Sequence, residues 1–185
     1  MQPWQIIAIG AVIVIVAAAV AYLIYQRSRT QHLKDHFGPE YDRKVTEFGS
    51  RSRAESELAR AEARVNNVKI RALSPSDRTR FLDEWRLCQA RFVDDPAGAV
   101  NEADRILTDI MHARGYAVDD PYNRTTDVAA AYPDHASAYR EANDIVVRHR
   151  RGHSSTEDLR KAFINFRALF DEILGGADEK LRRVS

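Results

Sequence analysis

The pattern of apolar and polar positions changes character at Tyr25. From Ile6 to Tyr25 the run IIAIGAVIVIVAAAVAYLIY carries no charge, and as a helix it rises about 30 Å, the thickness of a bilayer's hydrocarbon. The pattern predicts a transmembrane helix over residues 6–25. Beyond it, apolar residues recur at helical intervals among charges, and no segment alternates with the period of two that marks a half-buried strand.

The helical segments are separated by explicit stop and start signals. Phe37-Gly38-Pro39 breaks the extension of the first helix, since Gly38 permits a turn and Pro39 suits a first helical position. One long charged helix is then expected from Glu40 to about Val68, with Tyr41, Val45 and Phe48 and later Leu58, Ala61, Val65 and Val68 as its apolar positions. Its heptad spacing lapses between Phe48 and Leu58, so it reads as a charged stalk with two docking ends rather than a coiled coil. Ser74-Pro75 with Asp77 forms a capping signature, and the helix behind it places Phe81, Leu82, Trp85, Cys88, Phe92 and Val93 within an arc of about 140°. Asp95-Pro96 opens a helix with Val100, Ala103, Ile106, Leu107, Ile110 and Met111 on one face, which ends at Gly115. Asp120 before Pro121 starts a short segment, Tyr132-Pro133 interrupts it, and a helix over about residues 134–150 turns Tyr139, Ala142, Ile145 and Val146 inward. Ser155 with Asp158 caps the most apolar stripe, Leu159, Phe163, Phe166, Leu169, Phe170, Ile173 and Leu174, and Gly175-Gly176 is expected to end it.

These elements predict an all-α chain: an N-terminal transmembrane helix, a long juxtamembrane helix and a bundle of about four main helices. The expected divisions are a short extracytoplasmic N-terminus (1–5), the membrane helix (6–25), a basic flank and charged juxtamembrane helix (26–71), the bundle (72–176) and a disordered tail (177–185). The expected helix caps are Ser74, Asp95, Asp120 and Ser155.

The flanks of the apolar run set an orientation. Trp4 on one side and Tyr22 and Tyr25 on the other fall where aromatic rings favour the interface, and Arg27, Arg29 and Lys34 follow. With nothing basic before the helix except the amino terminus, the positive-inside bias puts the N-terminus outside and the C-terminal part in the cytoplasm. A cleaved signal peptide is the rival reading, with Ala17-Ala18-Ala19 as a small-residue site. Against it stand the missing basic n-region, the length of the apolar run and the basic flank. Gly10, Ala17 and Ala21 have a small-residue spacing that leaves a homo-oligomer open.

Composition narrows the classes further. With 185 residues, 44% apolar and 30% charged, the chain holds one membrane segment and one modest domain. A net charge of +1 supplies no broad basic field, which argues against nucleic acid as a partner. The single cysteine, Cys88, excludes an internal disulfide and lies in a core-facing arc, where a thiol is usually inert.

The densest candidate chemistry is RFVDDPAGAVNEAD (91–104), with Asp94, Asp95, Glu102 and Asp104. On the helix that Pro96 opens, Glu102 and Asp104 lie about 160° apart around the axis, so they cannot converge on one ion or proton. A cap plus solvated carboxylates accounts for the density. Asp109 and His112 form one i, i+3 pair where a di-iron bundle needs two such pairs and two further glutamates. His135 and His149 are separated by about 21 Å along their helix, too far for one metal. His149 and His153 frame RHRRGH, whose cations suit a helix C-terminus. No catalytic, cofactor or metal residue is therefore assigned.

The strings HLKDHFGPEYDRKV, IRALSPSDRTRF, RFVDDPAGAVNEADRIL, MHARGYAVDD, SSTEDLRKAF and FRALFDEIL resemble a family of bacterial single-pass membrane proteins without an established activity, over roughly Gln31 to Leu174. Where such proteins often read RGYP, this chain has Arg114-Gly115-Tyr116-Ala117. The expected function is a membrane-tethered helical interaction module (adaptor, scaffold or signal-coupling part) with an unidentified protein partner, held in the bacterial cell membrane by residues 6–25. The alternative is an enzyme whose site assembles from distant residues of the bundle.

Overall fold

The computed structural model describes the backbone of residues 3–184 apart from Ala117 and Asp119, and the side chains of residues 13–175 apart from those two, Pro121 and Tyr122. Its described residues form eight helices and no strand. The chain divides into two compact units, residues 1–55 and 56–185.

The first unit holds α1 (Pro3–Phe37), α2 (Pro39–Phe48) and the start of α3 (Arg51–Asn66). Gly38 has φ +49° and separates α1 from α2, where Pro39 occupies the first turn. The charged helix expected over residues 40–68 is not continuous: Gly49, at φ 59° and ψ 11°, closes α2 in a left-handed cap, and its N–H donates to Thr46 O at 3.4 Å. The cause is local, because an L side chain is strained in that region and glycine is not. The lapse in heptad spacing after Phe48 coincides with this break. Nor is the segment simply solvated, since Tyr41, Ala54, Glu40 and Lys44 are buried along with Leu33 and Phe37 of α1.

Upstream, the side chains of α1 from Ile13 to Tyr25 are exposed. Among the described residues no helix is long and apolar enough to cross a membrane. Of the expected span Ile6–Tyr25, the side chains are described only from Ile13 onward, and the anchoring position Trp4 lies outside the described side chains.

The second unit contains the rest of α3, then α4 (Pro75–Arg91), α5 (Pro96–Ala113), α6 (Pro121–Ala131), α7 (Pro133–Arg150) and α8 (Thr156–Val184). Helices α4 to α7 each begin at a proline, whose missing N–H costs nothing in a first turn. The long helix α8 lies against α5 and α7, while α4 packs on α5 and α6 on α7. Phe166, Leu169, Phe170 and Ile173 of α8 are fully buried with Ile106, Leu107 and Ile110 of α5. Trp85 of α4 stacks on Phe163 and Phe170, with ring centroids 5.2 and 4.3 Å away.

Val65, Val68 and Leu73 pack against this core, and the Arg71 N–H donates to Arg114 O at 3.0 Å. Arg64 of α3 donates to Asp127 of α6 through Nε and Nη2, at 3.0 and 2.7 Å. The bundle therefore recruits residues N-terminal to its expected start at 72. At the other end, α8 runs helically through Gly175-Gly176 to Val184, where the sequence predicts a stop and a frayed tail. The last buried residue before the glycines is Leu174, whose carbonyl also accepts from Arg78 Nη1 at 2.6 Å. Isolated glycines weaken a helix by about 1 kcal/mol each relative to alanine, which lowers its preference without forbidding it. The side chains of the tail 177–185 lie outside the described residues.

Candidate functional site

The carboxylates of residues 94–104 disperse. Asp95 accepts the Gly98 N–H at 2.8 Å and pairs with Arg91 Nη2 at 2.7 Å, and these bonds hold its carboxyl below the usual carboxylate range. Glu102 pairs with Arg105 at 2.6 Å. Asp104 turns the other way, accepting from Tyr139 Oη at 3.1 Å and Arg124 Nη1 at 3.3 Å. Burial raises Asp104 above the ordinary range, because its desolvation outweighs the Arg124 charge and the Tyr139 hydroxyl. This network joins α5, α6 and α7. Its signal in the sequence is faint, since the three residues are far apart along the chain and only Tyr139 belongs to an apolar stripe.

Gly98 belongs to the same cap. A Cβ there would fall 2.0 Å from Asp95 Oδ2 and 2.7 Å from Arg91 Nη2, so a side chain would expel the group that caps the helix. Asp95→Ala is expected to destabilise the second unit by about 1 kcal/mol, while Asp95→Asn keeps an acceptor and most of the stability. Denaturant melts of the two variants, with and without divalent metal, check this. Asparagine and alanine being equally damaging, together with loss of a metal-dependent stabilisation, would reveal a ligand instead of a cap.

Two of the other expected caps bond a backbone N–H through the side chain. Ser74 Oγ accepts the Asp77 N–H at 3.0 Å. Ser155 Oγ accepts the Asp158 N–H at 3.1 Å while Asp158 Oδ2 accepts the Ser155 N–H at 2.8 Å, a reciprocal capping box. Asp120 acts through its backbone, its carbonyl accepting the N–H of Asn123 at 3.1 Å and of Arg124 at 2.9 Å, and its carboxylate accepts from Asn123 Nδ2 at 2.7 Å.

Cys88 is buried, its Sγ lies 3.1 Å from the Ala99 carbonyl that accepts from it, and burial pushes the thiol up to about 11. A protonated, enclosed thiol is a poor nucleophile. Asp109 pairs with Arg105, His135 lies 4.0 Å from Glu172, and His149 is half-buried. Among the described residues no group of three or more histidine, cysteine or acidic side chains could hold a metal ion.

A different cluster organises the first unit. Glu55 Oε1 accepts from Thr30 Oγ1 at 2.9 Å, Tyr41 Oη at 2.8 Å and Arg51 Nε at 3.0 Å, tying the start of α3 to α1 and α2. Burial pushes the Glu55 carboxyl up, but the bonds from Tyr41, Thr30 and Arg51 together outweigh it and hold it below its usual range. Lys34, an expected anchoring residue, has its ammonium 5.3 Å from the Tyr41 ring centroid. Tyr22, Tyr25, Arg27 and Arg29 are exposed, and Tyr22 Oη accepts from Gln26 Nε2 at 2.8 Å. On α1 itself Ile13, Val16, Ala17, Val20, Ala21 and Ile24 line a shallow apolar groove.

No family model matches the chain, and neither a curated protein nor a solved structure matches it. The resemblance carried by HFGPEYDR and RFVDDPAGAV stands on those strings alone.

Proposed function

We propose that the chain is a helical interaction module tethered to a bacterial cell membrane, with residues 6–25 in the bilayer, the N-terminus outside and the C-terminal part in the cytoplasm. The observation that carries this reading is the exposure of α1. Ile13, Val14, Ile15 and Val16 are 62, 67, 68 and 55% exposed, and four consecutive helical positions point in every direction around the axis. Leu23 and Ile24 repeat the exposure about two turns after Val16. A helix that is apolar all round needs apolar surroundings, and hydrocarbon supplies them where protein does not. Arg27 and Arg29 follow on the side assigned to the cytoplasm. The remainder of the chain has its acidic groups engaged in caps and inter-helix ties such as Ser155–Asp158, Arg64–Asp127 and Tyr139–Asp104, which favours a scaffold that acts through protein contacts.

The test is membrane extraction combined with a topology reporter. The full chain is expected to resist an alkaline carbonate wash, and a reporter active only in the cytoplasm is expected to work when fused after Ser185. Val16→Arg places a charge near the middle of the span at a cost of about 2.5–3.5 kcal/mol, and is expected to shift the chain toward the washable fraction. Recovery of the parent chain in the wash, or reporter activity only on the opposite side, overturns the proposal.

A further inference from the structure

Arg114 closes α5 at the end of the second unit. Its backbone is fully used, the N–H donating to Ile110 O and the carbonyl accepting from Arg71 N–H, both at 3.0 Å. Its side chain is 0% exposed, and Nε, Nη1 and Nη2 are closed to solvent with no hydrogen-bond partner among the described residues. Arginine cannot relieve such a position by losing its proton, as a buried lysine can. Buried charges in native proteins are paired, so a buried guanidinium with three uncommitted nitrogens offers a donor set suited to an anion. The negative end of the α5 dipole offsets part of the charge but supplies no acceptor for those N–H groups.

The surroundings narrow the anion. Tyr116 and Tyr132 have ring centroids 6.1 Å apart, both are buried, and the Tyr132 hydroxyl feels the Arg114 charge. Glu172, on the α8 side of the Tyr132 hydroxyl, lies 4.0 Å from His135. The enclosed positive charge is thus a single guanidinium whose field reaches the Tyr132 hydroxyl. One carboxylate neutralises it and matches its planar fork with two parallel N–H···O bonds. A phosphate dianion would bury a net negative charge against one guanidinium.

We infer that Arg114 is the receptor for one small monocarboxylate, bound at the C-terminal end of α5 within reach of the Tyr132 hydroxyl. The nitrogens are shielded, so entry requires local opening of that end, and binding is slow compared with an open cleft. The inference needs no membrane and is independent of the tether proposed above.

The experiment uses the full chain and acetate as probe, with chloride and phosphate at matched ionic strength. Acetate is expected to raise the melting temperature saturably, by about 5–10 °C at a hundredfold excess over its Kd, and to shift the Arg114 Nε–H resonance, identified by its absence in Arg114→Lys. Arg114→Met, similar in volume and neutral, is expected to melt above the parent in chloride and to ignore acetate. Arg114→Lys, which keeps the charge without the fork, is expected to retain a weaker response. Superimposed acetate and chloride melts of the parent overturn the inference, even if both variants fail to fold. So does a larger response to phosphate than to acetate. A loss of parent stability in Glu172→Gln in acetate-free buffer would also overturn it, by showing that Glu172 already serves as the counter-ion.

Discussion

Trp85→Ala is expected to destabilise the second unit by about 3–5 kcal/mol, the range for emptying a large aromatic site in a core that relaxes only partly. Trp85 is 1% exposed and lies against two rings of α8 at 5.2 and 4.3 Å, so its removal empties the space in which α4 meets those rings. Trp85→Phe is a different case. Among the described residues the buried indole Nε1 has no hydrogen-bond partner, so phenylalanine gives up volume while eliminating an unmet donor. The two effects oppose, and a net loss of about 1 kcal/mol is expected. Urea melts followed by helical circular dichroism separate the variants. If phenylalanine proves as damaging as alanine, the indole N–H has a partner after all.

Glu55→Ala is expected to act locally, on the first unit. Three donors converge on one carboxylate oxygen, and a hydrogen bond to a charged group contributes about 1.5–3 kcal/mol. These bonds share one acceptor and are not additive, so a loss of about 2–3 kcal/mol is expected. Amide exchange across α2 should accelerate about 30- to 150-fold, with α5 and α8 unchanged. Glu55→Gln keeps an acceptor and should lose about half as much. The pH dependence has a definite sign. Because the folded carboxyl lies below its ordinary value, the stabilisation is present at neutral pH and is lost as pH falls through the folded value. Protection of α2 should therefore fade in acid in the parent and stay flat in Glu55→Gln. Equal acid sensitivity in both would point to another group.

What could be read in the sequence was whatever lies within one helical turn. Ser74 meets Asp77, and Ser155 meets Asp158, because residues three apart at a helix start are neighbours before any tertiary structure forms. The stripes on α5 and α8 are legible for the same reason. The turn at Gly49 was harder, since one glycine in a charged segment is compatible with a helix, and only the gap in apolar spacing marked it. The Asp104, Arg124 and Tyr139 network was out of reach, as were Arg64 with Asp127 and the burial of Arg114. Each depends on which helix faces which, a property of the assembled bundle. For Arg114 in particular the sequence carries no signal of burial, since a basic residue at a helix C-terminus is favourable on the surface too.

The glycine that divides α2 from α3 illustrates how little information a break of this kind demands. Around Gly49 no heavy atom lies within 4 Å of where a Cβ would stand, although its φ is +59°. Packing does not require a small residue there. Handedness does: the space is open, but the backbone torsion is one that L residues avoid and their mirror images adopt freely. A D-alanine would prefer the very torsions that Gly49 adopts. At this position the genetic code, which offers only one chirality, meets the requirement by offering none.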